Sequence, residues 1–250
     1  MPLFDRRPGH LAATDAGLRY ARALRRSFTG IARATSEVRA SSGRPHLVVR
    51  AYTTFLVRWL IPRLGSFQKQ HPEIDLSVDS GFSAADLSKG EIDIAIRYGR
   101  GAWLNLKVFP IFGDELVPFC SPGLASEFVG KHPADWPKEF PIIVHTRRPD
   151  DWDDWFAAQG VSDLPRRRIE FEDLLLAYQA AHDGLGVAIT QTRYIATDVA
   201  KGALTPVSSN LLRRTLGYYA VCPIEVAENE SAMAFIKWLI DESASSTSTP

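Results

Sequence analysis

Polar side chains follow directly on several predicted strands, at positions where they could bind a small molecule. Arg97 and Tyr98 close the apolar run IDIAIRYG at 92–99. The guanidinium could pair bidentately with an anion, and the tyrosine ring could cover an apolar portion of the same molecule. Because ligands of layered α/β proteins bind outside the carboxyl ends of the strands, these two residues are candidates for a binding site. The alternative for Arg97 is a structural salt bridge to a neighbouring aspartate.

Three further strand ends carry polar residues of the same kind. They are Ser80 and Gly81 after LSVD, His145 and Thr146 after PIIV, and Glu172 and Asp173 after RRIEF. Hydroxyl, imidazole and carboxylate groups can together bind an anionic or zwitterionic molecule through hydrogen bonds and charge. A lone histidine near a cleft is more often structural, so a purely structural role is the alternative for His145.

Motifs for catalysis and for metal binding are absent from the sequence. It lacks the hydrolase elbow GxSxG, and the glycines of HDGLGVAI precede a strand rather than the helix of a dinucleotide-binding motif. The six histidines and two cysteines are scattered instead of clustered at ligand spacings. The acidic run DDWDDW is interpreted as a solvated helix face, with Trp152 and Trp155 packing on the other side. We therefore expect no enzyme, no cofactor and no metal.

The composition indicates a globular chain with a basic N-terminal arm. Hydrophobic residues make up 45% and charged residues 23%, and 29 basic residues balance 29 acidic ones. The whole chain therefore has no general attraction to nucleic acid. Between positions 5 and 50, however, ten arginines accompany only three acidic residues. No apolar run is long enough to span a membrane and no signal peptide is recognisable, so we expect a cytoplasmic chain without membrane contact.

A helix is predicted to begin after Thr14, which is suited to be its N-cap. Its apolar or small residues recur at steps of three and four, which is typical of a narrow dimerisation seam. The seam consists of Leu18, Ala21, Leu24, Phe28, Ile31, Thr35 and Val38. The alternative is an amphipathic helix packed on its own domain. The linker SSGRP at 41–45 ends the helix.

From position 46 onward strands and helices alternate, which predicts α/β layers with largely parallel sheets. The first helix of this part is expected to have Pro62 in its first turn and to end before Pro72. Gly160 and Gly184 are expected to end two later helices. The runs KVFPIF and DELVPFCSP are interpreted as two separate strands. The helix AMAFIKWLI precedes a Ser/Thr-rich tail at 244–250 that is expected to be disordered.

Several motifs resemble those of one family. The stretch PLFDRRPGHLAATDAG at 2–17 resembles the wing and the start of the linker helix of LysR-type transcriptional regulators, in which P-L-F-x-R precedes T-x-A-G. The matching residues are Pro2, Leu3, Phe4, Arg6, Thr14, Ala16 and Gly17. The stretches FLVRWLIPRLGSF, GEIDIAIRYGRG, LVPFCSP and HDGLGVAI resemble the effector-binding domain of the family. WLIPRL, YGRG and CSP are most similar to its glycine-cleavage-activator branch, and the resemblance covers residues 2 to about 243.

This resemblance implies an α/β fold of two lobes, similar to type 2 periplasmic binding proteins, with a ligand between the lobes. The implied divisions are a remnant wing at 1–13, a linker helix at 14–42, lobe I at 46–118 and 220–243, and lobe II at 119–219. By the pattern of the family, the ligand meets the start of the first helix of lobe I. There Thr53 and Thr54 would offer hydroxyls and amides to a carboxylate or phosphate. Ordinary N-capping is the alternative for both threonines.

The function that the resemblance implies is regulation of transcription by a small effector bound between the lobes. In the family a winged helix-turn-helix precedes the wing, and we expect this chain to lack most of it. DNA contact through Arg6 and Arg7 alone would be weak and salt-sensitive, so promoter binding would require the missing domain. The expected partners are the effector and a second copy or full-length homologue, as a dimer or tetramer. The alternatives are a stand-alone solute-binding module and a dominant-negative partner that pairs through residues 15–40.

Overall fold

The chain begins with a short hairpin. The computed structural model describes residues 2–7, 10–21, 23–24, 44–81, 87, 90–136, 140–162 and 167–245. Strand β1 (Phe4–Arg7) pairs antiparallel with β2 (His10–Ala13), in a register that places Arg6 opposite Leu11. The hairpin therefore carries Arg6 and Arg7 on its first strand, in the part of the chain that resembles a wing.

Helix α1, described at 15–21 and 23–24, is fastened to this hairpin at its first turn. The hydroxyl of Thr14 accepts the N–H of Gly17 at 3.0 Å and donates to the carbonyl of Pro2, which confirms Thr14 as the N-cap. A Cβ at Gly17 would lie 2.0 Å from the carbonyl oxygen of Leu3. The T-x-A-G pattern thus has a physical reason, because the cap and the close approach need these two residue types.

The predicted apolar seam is only partly within the described residues. Leu18 and Leu24 lie on α1 and are 44% and 38% exposed, so both present apolar surface to solvent. Phe28, Ile31 and Val38 lie outside the described residues.

In the body of the protein, the described residues form a nine-stranded mixed sheet with helices packed on it. The strand order is β4-β3-β5-β11-β6-β9-β7-β8, and β10 pairs with β6. The strands are β3 (His46–Ala51), β4 (Asp75–Ser80), β5 (Ile94–Gly99), β6 (Leu106–Cys120), β7 (Ile142–His145), β8 (Arg168–Phe171), β9 (Val187–Gln191), β10 (Thr205–Pro206) and β11 (Leu212–Pro223). Parallel pairing is confined to the two ends of this order, whereas β6 and β11 are antiparallel to their neighbours.

The helices lie between these strands in chain order. They are α2 (Thr53–Phe55), a π-helical segment (Leu56–Leu60), α3 (Ile61–Gln70), α4 (Pro122–Ala125), α5 (Asp150–Ala158), α6 (Leu174–His182), α7 (Thr192–Ala200) and α8 (Glu230–Ser245), with short 3-10 turns at Pro133–Asp135 and Val226–Glu228. Gly160 and Gly184 follow α5 and α6 with positive φ angles of 72° and 81°, which confirms that they end these helices. Among the residues of the described ranges, no helix is long and apolar enough to cross a membrane.

Separate clusters of buried hydrophobic residues divide the body into two lobes. The largest cluster of the first lobe is built around Trp59, Phe67 and Phe235, and that of the second around Trp152 and Trp155. Each lobe contains a further cluster of its own. We define lobe I as residues 46–113 and 217–245, and lobe II as residues 114–216. Strands β6 and β11 run through both lobes and are the two connections between them.

These two connections correct the expected strands and boundaries. The runs KVFPIF and DELVPFCSP form one 15-residue strand, β6, rather than two. Leu116 already packs in the core of lobe II and Tyr218 in that of lobe I. The lobes therefore meet near Gly113 and Gly217, instead of at the expected boundaries after 118 and 219. The expected boundaries differ because an extended strand passes from one core to the other without a turn.

Three further expectations need correction. Pro62 lies in the first turn of α3, as predicted, but this turn does not begin the helical stretch, because α2, the π-helical segment and α3 are continuous from Thr53 to Gln70. The helix does end before Pro72, as predicted. In the acidic run of α5, Asp151 is buried, so this run is not simply a solvated face. Helix α8 includes residues 244 and 245 of the predicted tail, and 246–250 lie outside the described residues.

Candidate ligand-binding site

A cavity of about 240 Å³ lies between the two lobes. It is lined by Tyr52, Thr53, Thr54, Tyr98, His145, Arg147, Arg148, Glu172, Asp173, Leu174, Tyr194 and Tyr218. Six of the ten residues expected at an effector site are among them, namely Thr53, Thr54, Tyr98, His145, Glu172 and Asp173. The residues come from β5, α2 and β11 on the side of lobe I, and from the ends of β7 and β8 and the starts of α6 and α7 on the side of lobe II. The cavity thus lies where the carboxyl ends of parallel strands from both lobes meet.

The lobe I wall of the cavity is the amino end of a helix. Tyr52, with extended backbone angles, is the N-cap of α2, and no side chain caps this end. Thr53 and Thr54 are therefore not capping residues. The first intrahelical bond runs from the N–H of Leu56 to the carbonyl of Tyr52, at 3.0 Å. The N–H groups of Thr53 and Thr54 consequently have no acceptor within the helix, and this end of α2 favours negative charge.

The lobe II wall consists of the residues that follow β7 and β8. Arg147 forms an ion pair with Glu172 at the edge of the cavity. Nε2 of His145 lies 3.0 Å from the carbonyl oxygen of Glu172, so this nitrogen carries the proton that is donated. Asp173 caps α6 by accepting the N–H of Leu175 at 2.7 Å. This wall therefore presents one guanidinium and the carboxylate of Glu172, both substantially exposed.

The imidazole of His145 is kept neutral by its surroundings. Burial lowers its pKa below the ordinary value of 6.5, and the positive charge of Arg148 lowers it further. The bond to the backbone of Glu172 opposes these effects without cancelling them. At neutral pH the ring is thus an uncharged part of the wall.

Three tyrosines and an arginine form the inner end of the cavity. The guanidinium of Arg148 lies over the ring of Tyr98, 4.3 Å from its centre, and donates to its hydroxyl at 2.9 Å. Tyr194 and Tyr218 are almost fully buried beside them. Burial is the main cause that raises the pKa of all three phenols. They therefore stay protonated and neutral.

Behind the cavity, Arg148 belongs to a buried cluster of four charged side chains. The carboxylate of Asp114 accepts bonds from Arg148 at 3.1 Å and from Nε of Arg214 at 2.7 Å. The carboxylate of Asp151 bonds to the same two arginines, at 3.0 and 2.6 Å. Burial by itself lowers the pKa of Arg148, but the negative charges of Asp151 and Asp114 outweigh burial and raise it. The two positive and two negative charges thus compensate one another.

The other four predicted site residues do not line the cavity. Arg97 lies with its guanidinium 5.4 Å from the ring centre of Trp103, because neighbouring residues of a strand point to opposite faces and Tyr98 points to the cavity. Ser80 is exposed at the end of β4, and Gly81 lies beside the side chain of Arg50. Thr146 is exposed in the turn after β7, where its N–H bonds to the carbonyl of Phe171.

Sequence reasoning missed six lining residues, namely Tyr52, Arg147, Arg148, Leu174, Tyr194 and Tyr218. The two arginines had a usable signal, because they follow His145 at the same strand end. Tyr218 had none, since it lies in the middle of β11, and neither did Tyr194 on α7. No group of three or more potential metal ligands occurs within the described ranges. The cavity combines a helix N-terminus, a carboxylate, a guanidinium and aromatic rings, which suits a small molecule bearing both charges.

Comparisons with known proteins agree with this architecture. A family model described as LysR substrate binding domain matches residues 40–244. The chain is 28% identical over 247 residues to the glycine cleavage system transcriptional activator of Escherichia coli K12, which covers 98% of this chain and 80% of that protein. It is 32% identical over 246 residues to the transcriptional activator AmpR of Pseudomonas aeruginosa, covering 97% of this chain and 81% of that protein. The effector domain of the same AmpR has a similar structure, with a TM-score of 0.70, 31% identity and coverage of 81% of this chain and 97% of that one.

Proposed function

The chain belongs to the LysR family of transcriptional regulators, and we propose that a small zwitterionic or anionic effector binds in its cavity and thereby controls transcription. The proposal rests mainly on the groups that face each other across the cavity, one set from each lobe. The amino end of α2 with Thr53 and Thr54 stands on one side of the cavity, and Arg147 and Glu172 stand on the other. The effector would bridge the two lobes.

The proposed binding mode follows from the charges. A carboxylate of the effector accepts hydrogen bonds from the free amides and hydroxyls of Thr53 and Thr54, where the helix favours negative charge. An ammonium group is attracted by the carboxylate of Glu172, which is exposed enough to exchange Arg147 for a ligand. The rings of Tyr98 and Tyr218 cover the apolar part of the molecule. A ligand that contacts both walls favours the lobe arrangement in which it makes both contacts.

The test is a thermal-shift and calorimetry screen with three matched sets of compounds: free amino acids, their amides and the corresponding carboxylic acids without an amine. We expect binding by members of the first set, weaker binding by the second, and loss of the shift in Thr54→Val and Glu172→Gln. Arg97→Ala is the matched control, because it removes an arginine that stacks on Trp103 outside the cavity. A compound that binds equally well to the two cavity variants would contradict this site.

The partners are proposed on the same basis. We propose that a second copy pairs through α1, on which Leu18 and Leu24 are exposed, and that regulation takes place at a promoter in the cytoplasm. Arg6 and Arg7 on β1 would then lie near DNA phosphates and contribute weak, salt-dependent contacts. Reading of base sequence would need a recognition helix.

A further inference from the structure

A second set of contacts joins the two lobes one helical turn behind the cavity. Helix α2 begins at the cavity with Thr53, and helix α6 of lobe II begins at the cavity with Leu174. Arg58 lies five residues into the first helix and Tyr178 four residues into the second. The guanidinium of Arg58 lies over the ring of Tyr178, 4.1 Å from its centre, and donates to its hydroxyl. The two helices that line the cavity are thus joined directly behind it.

Arg58 makes two more contacts with lobe II. Its Nε donates to the backbone carbonyl of Tyr194 at 3.1 Å, and its Nη2 forms an ion pair with Asp198 on α7. The side chains of Arg58 and Asp198 are 18% and 19% exposed, so this pair is shielded from solvent more than a surface salt bridge. One side chain of lobe I therefore holds two helices of lobe II.

The position of Arg58 has a local cause in the sequence. In a regular α-helix, the ring of Pro62 would collide with the carbonyl of the residue four positions earlier, which is Arg58. Here the turn from Leu56 to Leu60 is π-helical, and the N–H of Ile61 bonds to the carbonyl of Leu56, five residues back. The wider turn accommodates the proline and changes the direction in which the Arg58 side chain leaves the helix, relative to Thr54. Single π-turns of this kind occur frequently at functional sites.

We propose that Arg58, Tyr178 and Asp198 form an interlobe clasp that sets the resting separation of the two lobes. The clasp is a property of the chain without ligand. Its role in sensing rests on the proposed function: because Thr53 and Arg58 are on one helix, an effector that draws Thr53 toward lobe II must also move Arg58 against Tyr178. Contacts of the clasp would then contribute to the difference in free energy between the two lobe arrangements.

The clasp is tested by measuring distances between spin labels in the absence of any ligand. Labels at Gln68→Cys in lobe I and Ala157→Cys in lobe II report the separation of the lobes, and both positions are exposed. Labels at Gln68→Cys and Lys237→Cys report a distance within lobe I. The native Cys120 and Cys222 are fully buried, and burial raises the pKa of the first to about 12 and of the second to about 11. The labels therefore react with the introduced cysteines.

We expect Arg58→Ala to shift or broaden the interlobe distance distribution and to leave the distance within lobe I unchanged. Arg63→Ala is the matched control, because that arginine, one turn later, packs on Trp59 and donates to the Trp59 carbonyl of its own helix. Tyr178→Phe and Asp198→Asn remove single contacts with little change of volume. These two variants replace Arg58→Ala in the distance measurement if Arg58→Ala does not fold. An interlobe distribution that is unchanged in the Arg58 variant, or in both conservative variants, would overturn the clasp. Because no effector is added, that outcome is separate from failure of the proposed effector site.

Discussion

Arg148 donates through Nη2 to both carboxylate oxygens of Asp114, at 3.1 and 3.2 Å, and the side chain of Asp114 is fully buried. Asp114 lies on β6 where this strand passes from lobe I to lobe II, and Arg148 lines the cavity. The second connecting strand, β11, contributes Arg214 to the same carboxylate. One buried carboxylate therefore links both connecting strands to the wall of the cavity.

Loss of the charge at Asp114 is expected to destabilise the protein strongly. Asp114→Asn leaves Arg148 and Arg214 paired with Asp151 inside the buried cluster, and Arg214 also with the half-exposed Asp154. Removing one partner of a buried ion pair typically costs about 3–5 kcal/mol, because the remaining charge is left uncompensated. Urea unfolding followed by tryptophan fluorescence measures the free energy of unfolding of both proteins.

Glu115→Gln is the control for this experiment. It removes the neighbouring carboxylate on the same strand, which pairs with the exposed Arg213 at 2.8 Å. A pair of this kind contributes less than about 1 kcal/mol, so this variant should unfold almost like the wild type. Equal decreases in the free energy of unfolding of the two variants would show that burial of Asp114 does not increase its contribution to stability.

The alternation of strands and helices could be predicted from the sequence because each short apolar run packs in one layer. The one wrong division, within β6, has a physical explanation. Pro110 and Gly113 are usual signs of a strand end, but Pro110 lies where β6 pairs with β11 alone, next to an irregularity in register. At this position no further strand among the described residues pairs with the other edge of β6, so the missing N–H of proline interrupts no hydrogen bonds there. Only the pairing partner shows this, and the partner follows about a hundred residues later.

The site was predictable in part for a similar reason. The carboxyl ends of strands identified Tyr98, His145 and Glu172, since topology alone brings these ends together. Which of two neighbours on a strand points inward depends on the packing of both faces, and here Tyr98 faces the cavity and Arg97 faces Trp103. The local sequence therefore does not indicate which of the two side chains faces the cavity. The buried charge cluster could not be predicted either, because its members are close only after the lobes have formed.

Gly186 is expected to tolerate no side chain. A Cβ at this position would lie 2.4 Å from the backbone carbonyl oxygen of Pro141, which accepts the N–H of Val187 at 3.1 Å. Because that carbonyl belongs to the backbone beside β7, it cannot turn away without loss of the bond. Gly186→Ala should therefore lower the free energy of unfolding by roughly 1–3 kcal/mol, as overpacking does.

Gly65→Ala is the matched substitution for Gly186→Ala. Gly65 lies within α3, and nothing is within 4 Å of an added Cβ. Alanine is favoured over glycine in a helix by roughly 0.5–1 kcal/mol, so this variant should be more stable than the wild type. Chemical denaturation of the two variants in parallel gives opposite signs if close approach is the reason for Gly186. Stabilisation by both alanines would contradict it.

The proposed pairing through α1 predicts a change in association when its exposed leucines become charged. Leu18→Glu combined with Leu24→Glu places two carboxylates in the apolar seam, and the dissociation constant measured by sedimentation velocity should rise by more than about tenfold. Arg19→Glu, which introduces the same side chain one position after Leu18 on another face of α1, should have a smaller effect. Unchanged association of the double variant would place the interface elsewhere.

Protonation of His145 should make the protein less stable in mild acid. Burial and Arg148 lower the pKa of its imidazole below 6.5 in the folded state, whereas the unfolded chain has the ordinary value. As the pH falls through 6.5, the unfolded state therefore binds the proton first, and the free energy of unfolding decreases until the folded pKa is passed. His145→Gln has no imidazole to protonate, so its stability should fall less between pH 7.5 and about 5 in urea unfolding. A His145→Gln profile parallel to that of the wild type would mean that other groups cause the loss in acid.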